Sequence, residues 1–283
     1  MKKIVLNNGV EMPILGFGVF QIKDEKECEQ CVYDALMAGY RLIDTAASYG
    51  NEEAVGKAII RSGIAREEIF ITSKLWVQDY RHDTAIEAFE RALKRLQTDY
   101  IDLYLLHQPF SDVYGAWHAL EELYEKGKIR AIGVSNFQPD RLMDLMLHNK
   151  VKPAVNQIET NPFYQQKENQ QFLKENNIQL EAWSPFGTGR NNMFENEVLA
   201  KIAKKNGKSI AQIILRWLIQ NDIVVIPKSS NKNRIIENID VFNFELDDED
   251  INEIKALDTN TSVYFSHRDP ETVKSLGTMK FDT

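Results

Sequence analysis

The chain has 283 residues, 43% hydrophobic and 27% charged, values that exclude disordered and fibrous classes. Lys and Arg number 34 against 42 Asp and Glu, a net charge of −8, so no pull toward nucleic acid or an anionic membrane is expected. The apolar run after Lys3 is only Ile4-Val5-Leu6, too short for a signal peptide. No apolar stretch approaches the roughly 18 residues of a membrane helix, so a cytoplasmic protein is expected.

In chain order, a turn at Asn8-Gly9 comes first, then an alternation of short β-branched runs with helical patterns. The runs are Ile14 to Gly18, Arg41 to Ile43, Ile69 to Ile71, Ile101 to Leu106, Ile129 to Val134, Ala154 to Ile158, Ile178 to Trp183 and Ile223 to Ile226. Between them Ile86, Phe89, Leu93 and Leu96 repeat at helical spacing, as do Trp117, Leu120 and Tyr124 before Gly127. Eight strand–helix units argue a parallel sheet, and eight is the number that closes into a barrel. An open doubly wound sheet is the competitor. No linker or composition shift divides the chain, so a single domain over 1–283 is expected. Thr259 to Thr283 lacks apolar periodicity and reads as a loop over the fold.

Three motifs are weighed and set aside. Cys28 and Cys31 form a C-x-x-C, but no second pair completes a zinc set, and two small residues on the helix Asp24 to Ala38 is the plainer reading. Gly16-Phe17-Gly18 begins like a dinucleotide fingerprint but lacks its third glycine and later acid, leaving a tight turn at a strand end. Gly207-Lys208-Ser209 resembles a P-loop end, with Ile202 where the first glycine belongs.

Polar residues collect where the runs end: Asp44, Lys74, His107, Ser135-Asn136, Gln157, Ser184 and Lys228-Ser229. In a barrel all those ends meet on one rim. Singly each has an ordinary explanation, such as a turn cap, a solvated strand end or a core histidine; together they argue a site. Tyr49 lies five residues after Asp44. A phenol is a poor acid near neutrality, and an ammonium beside it favours phenolate. A carboxylate would hold that ammonium charged, and His107 could orient a substrate oxygen. Such a set is suited to protonating a carbonyl oxygen as negative charge develops.

These blocks resemble the aldo-keto reductase superfamily along essentially the whole chain, specifically its prokaryotic short-loop, glyoxal reductase-like members. They are Asp44-Thr45-Ala46 with Tyr49-Gly50-Asn51-Glu52, Ser73 to Trp76, Tyr104 to His107, Ile132 to Phe137, and Ile226 to Ser229 with Arg234. The resemblance implies a (β/α)8 barrel with an N-terminal hairpin and a C-terminal loop over the mouth. It implies an NADPH-dependent reductase of small aldehydes and ketones, such as 2-oxoaldehydes and keto sugars, working without metal. Asp44, Tyr49, Lys74 and His107 match the catalytic tetrad, with Tyr49 the proton donor. Gly18, Val19 and Asp44 fall beside the cofactor. Ser135, Asn136 and Gln157 match the carboxamide positions, and Trp183 stands where a tyrosine usually stacks. Ser184 falls at the pyrophosphate; Lys228, Ser229 and Arg234 match a 2′-phosphate clamp, with Glu237 and Asn238 at the adenine. Phe20, Tyr49, Trp76, His107 and Gln108 would line the substrate pocket, with His267 to Pro270 nearby. The short segment after His107 suggests an open mouth, and the resemblance implies a monomer with no obligate protein partner. Two other readings stay open: a cofactor-sensing regulatory subunit with little turnover, and a phosphate-handling isomerase on the same barrel.

Overall fold

The computed structural model describes residues 2–282. Around Asn8-Gly9 the chain folds back as a hairpin of β1 (Lys3–Val5) and β2 (Glu11–Pro13), with Gly9 taking the left-handed φ of +86° that the turn requires. Eight parallel strands follow: β3 (Phe17–Gly18), β4 (Leu42–Asp44), β5 (Phe70–Leu75), β6 (Ile101–Leu106), β7 (Ile129–Ser135), β8 (Val155–Glu159), β9 (Gln179–Trp183) and β10 (Val224–Val225). Each pairs with the next in sequence. The two ends then meet: Gly16 N–H donates to the Val225 carbonyl at 2.9 Å, and Val225 N–H to the Ile14 carbonyl at 3.0 Å. The sheet is therefore a closed barrel, not the open competitor.

The helices cover its outside. α1 (Glu25–Ala38), α2 (Glu52–Ser62), α3 (His82–Leu96), α4 (Val113–Glu125), α5 (Pro139–His148) and α6 (Lys167–Glu175) each connect two strands. α7 (Glu197–Asn206) and α8 (Ile210–Gln220) both fall between β9 and β10, and α9 (Lys232–Ile239) and α10 (Asp248–Lys255) follow. α3 buries Ala85, Phe89, Ala92, Leu93 and Leu96 on the stripe expected from its spacing. None of the helices in the described residues is long and apolar enough to cross a membrane.

Inside the barrel, Leu42, Phe70, Leu103, Leu105, Ala131, Val155 and Val224 pack on Leu6 and Met12 of the N-terminal arm, which seals the floor. Because strand side chains alternate, two residues further along the same faces come Asp44, His107, Gln157 and the other rim residues. An apolar floor thus supports a polar mouth.

Several sequence expectations change here. Gly16 and Gly18 make no tight turn; a Cβ on Gly16 would meet the Leu42 side chain at 2.4 Å, so close packing requires the glycine. Gly207 is the left-handed cap of α7, Ser209 caps α8 in a capping box with Gln212, and Lys208 pairs with Asp240, which accounts for the false P-loop. The tail is not all loop: α11 (Pro270–Thr278) is started by Asp269, which accepts from Thr272 N–H, with Pro270 in the first turn. It buries no residue fully, so it lacks the stripe that would have announced it. Cys28 and Cys31 face the core as free thiols. Burial first, then Cys31, pushes the Cys28 thiol up to about 12, far from a reactive thiolate.

Candidate active site

Four residues predicted from the ends of three successive strands meet at the mouth. Lys74 is fully buried, and its Nζ donates to Asp44 Oδ1 (2.7 Å), Asp44 Oδ2 (2.8 Å), the Thr45 carbonyl (2.9 Å) and Tyr49 Oη (3.3 Å). Tyr49 ends a short 3-10 turn, Ala47–Tyr49, which carries its ring back over the barrel and leaves it half-buried. Its ring lies 4.9 Å from Phe20 and 5.6 Å from His107, and His107 packs edge-on against Trp76 at 5.1 Å.

The electrostatics add burial to the expected pull of the ammonium. Burial lifts the Tyr49 phenol above its ordinary value, and Lys74 pulls it back only in part. The neighbour was legible in the sequence; the degree of burial was not. Burial works against the Lys74 charge, but Asp44, Tyr49 and Glu181 together outweigh it and hold the ammonium above its usual range. Asp44 is itself raised by burial against the opposing pull of Lys74 and Gln157. Burial, then the Lys74 charge, drives His107 well below the ordinary imidazole value, so it is neutral near pH 7. Its Nδ1 lies 3.3 Å from Ser48 Oγ.

The predicted carboxamide residues also come together, bonded to one another. Ser135 Oγ donates to the Gln157 carbonyl at 2.8 Å, and Asn136 Nδ2 to the His107 carbonyl at 3.1 Å. Trp183 Nε1 donates to Asn136 Oδ1 at 2.9 Å, so the indole has a fixed edge despite lacking a tyrosine hydroxyl. Gln157 Nε2 donates to Asp44 Oδ2 at 2.8 Å. Gly18 and Val19 lie on the rim, but their N–H groups are used by the Pro227 and Asp44 carbonyls.

Farther along the rim, Lys228 and Arg234 are exposed, with no ion pair to another described residue. Ser229 is buried and accepts from Asn231 N–H at 3.1 Å, while Asn231 caps α9 through the N–H groups of Asn233 and Arg234. Glu237 accepts from Ser209 Oγ, and Asn238 is buried beside it on α9. Ser184, in left-handed backbone, hydrogen-bonds the Tyr264 hydroxyl.

The mouth is less open than expected at Trp76, which is only 4% exposed. Its Nε1 donates to the Met279 carbonyl at 3.0 Å, and the Phe281 ring packs against it at 5.1 Å. Tyr80 Oη fixes Gln108 through both its N–H and its carbonyl, at 2.9 Å each, and the buried Gln108 Oε1 has no partner. Sequence reasoning missed three residues: Ser48 beside His107, Tyr264 on Ser184, and Glu181 beneath Gln157. Only Glu181 carried a signal, an acid in the middle of an apolar strand.

The chain matches the model of the Aldo/keto reductase family over residues 14–259. It is 52% identical to the glyoxal reductase of Bacillus subtilis (strain 168), over 92% of this chain and 94% of that one. It is 45% identical to the methylglyoxal reductase DkgA of Escherichia coli (strain K12), over 90% and 93%. The crystal structure of a Bombyx mori aldo-keto reductase in complex with NADP superposes with a TM-score of 0.90 at 35% identity, covering 96% of each chain.

Proposed function

We propose that this chain, which belongs to the aldo/keto reductase family, is an NADPH-dependent reductase of small aldehydes and ketones, 2-oxoaldehydes foremost, with Tyr49 as the proton donor. The observation that carries this reading is the hydrogen-bonded series Asp44–Lys74–Tyr49 beside a neutral His107 at the barrel mouth.

The residues present suit the cofactor. Trp183 offers a stacking face, Ser135, Asn136 and Gln157 cluster beside it, and Ser184 suits a phosphate oxygen. Lys228 and Arg234 hold uncompensated positive charge, which fits the extra phosphate of NADP(H). Gly18 and Val19 would offer surface to it, and Glu237 and Asn238 would face its adenine. When bound, the reduced nicotinamide supplies the two electrons and one hydrogen that the carbonyl carbon gains.

The chain's own residues manage the oxygen. Tyr49 keeps its proton at neutral pH, as a donor must: the ordinary phenol value near 10 already ensures this, and burial lifts it further. As the substrate oxygen gains charge it takes that proton, and the phenolate left behind faces the Lys74 ammonium 3.3 Å away. Asp44 keeps Lys74 charged and aimed throughout. Ser48 Oγ lies 3.3 Å from His107 Nδ1; with the hydroxyl as donor, the ring carries its proton on Nε2, where it can hydrogen-bond the carbonyl oxygen.

The test is loss of NADPH absorbance with methylglyoxal and with a nitrobenzaldehyde, wild type beside Tyr49→Phe. Turnover that vanishes in the variant is expected. Cofactor binding without turnover across a broad carbonyl panel would overturn the reading in favour of a cofactor-sensing subunit.

A further inference from the structure

Glu181 lies in the middle of β9 and is fully buried. Its backbone registers against Gln157 on β8 and Val224 on β10, so one neighbour is a polar amide and the other a hydrocarbon. Gln157 Nε2 donates to Glu181 Oε2 at 3.0 Å and, from the same nitrogen, to Asp44 Oδ2 at 2.8 Å. Glu181 Oε1 has no partner. One amide nitrogen thus bridges two buried carboxyl groups, while the single nearby cation, Lys74, spends its hydrogens on Asp44, Thr45 and Tyr49. The groups acting on Glu181 are therefore Asp44 from β4, Lys74 from β5, Tyr49 beyond it and Gln157, with nothing charged from β10. Two buried carboxylates against one ammonium cannot both be ionised at low cost. Asp44 receives direct bonds from the ammonium and Glu181 receives none, so the proton belongs on Glu181.

Resting on the reductase reading above, we propose that Glu181 is a positioning residue, a neutral acid beneath the tetrad that orients the Gln157 amide and leaves the Lys74 charge to Asp44 and Tyr49. With its nitrogen committed to the two carboxyl groups, Gln157 presents its oxygen as the atom free to accept from a cofactor amide. Burial, then the neighbouring Asp44, pushes the Glu181 carboxyl up to about 8, in line with this arrangement. Losing that proton adds a second negative charge beside Asp44 and raises the proton affinity of Tyr49. Reduction should then slow on the alkaline side, while Tyr49 is still protonated.

Two substitutions and one spectrum test this. Glu181→Leu removes the acceptor for Gln157 and should weaken NADPH, read by fluorescence titration, about tenfold, while Glu181→Gln, a mimic of the neutral acid, should restore it to within about threefold. The wild-type kcat profile should fall as pH rises through about 8, and that inflection should be absent in Glu181→Gln. Infrared difference spectra of the cofactor-free protein should show a protonated-carboxyl band that titrates near the same pH and is missing in Glu181→Gln. Equal NADPH weakening in Glu181→Gln and Glu181→Leu, an unchanged alkaline inflection, or no such band would overturn the proposal. The infrared readout needs no turnover, so it decides about Glu181 even if the reductase reading fails.

Discussion

The two ends of the barrel mouth are built on opposite plans. At one end, Asp44, Lys74 and Gln157 are buried and bonded to each other before any ligand arrives. At the other, Lys228 and Arg234 stand in solvent without an ion-pair partner among the described residues. A group that must hold a proton or a charge at a fixed point gains from a rigid, dry setting, where its interactions are strong and need no rearrangement. A group that only captures a phosphate can stay solvated, since the ligand brings the opposite charge. The contrast predicts that substitutions at the buried end alter chemistry and folding, whereas those at the exposed end alter affinity alone.

Tyr49→Phe should be the harshest test of the buried end. We expect kcat for methylglyoxal to drop about 10²–10⁴-fold, with NADPH affinity by fluorescence titration within about threefold of wild type. Comparable kcat values would remove Tyr49 from the proton-donor role. Lys74→Met should abolish turnover too, but it also strands Asp44 in the interior. Urea denaturation should report a stability loss of about 3–5 kcal/mol, of the kind seen when one partner of a buried pair is removed. At the exposed end, Arg234→Ala should weaken NADPH about 10–100-fold and leave NADH nearly untouched, with stability within about 0.5 kcal/mol. Equal weakening of both cofactors would mean that Arg234 does not read the 2′-phosphate.

The buried end should also make stability depend on pH, with opposite signs at its two sides. Between its ordinary value of 4.5 and about 8, Glu181 binds more proton in the folded than in the unfolded chain, so its contribution falls as pH rises through that window. His107 is the reverse: its folded value lies well below 6.5, so its contribution falls as pH drops under 6.5. Glu181→Gln should therefore raise Tm by several degrees at about pH 9 and hardly at all near pH 4. A gain equal at both pH values would contradict a carboxyl raised by burial. The smallest effect is expected from Ser48→Ala, a roughly two- to fivefold loss in kcat through a less well held His107, with KM for cofactor unmoved.

Most of the barrel and the predicted tetrad cluster were legible in the sequence for a physical reason. A buried parallel strand needs an unbroken β-branched run, and a polar residue at its end stands out against it. Asp44, Lys74 and His107 were all found that way. Glu181 escaped because its role depends on Gln157, which meets it from the neighbouring strand, and on Asp44, which is distant in sequence and comes near only once the barrel closes. α11 escaped because a helix lying on the surface needs no apolar stripe, and only its Asp269-Pro270 start betrayed it. The net rise of the Tyr49 phenol was not legible because sequence names the neighbouring cation but not how much water the ring loses.

The arm that carries Leu6 and Met12 has an effect beyond packing. With the floor packed by hydrocarbon, proton exchange with Lys74, Asp44 and Glu181 is expected to run through the mouth. A ligand seated there should slow that exchange, so the protonation state at the moment of binding should persist into the reaction. The barrel would then act as a stoppered vessel that samples the acidity of its surroundings between turnovers.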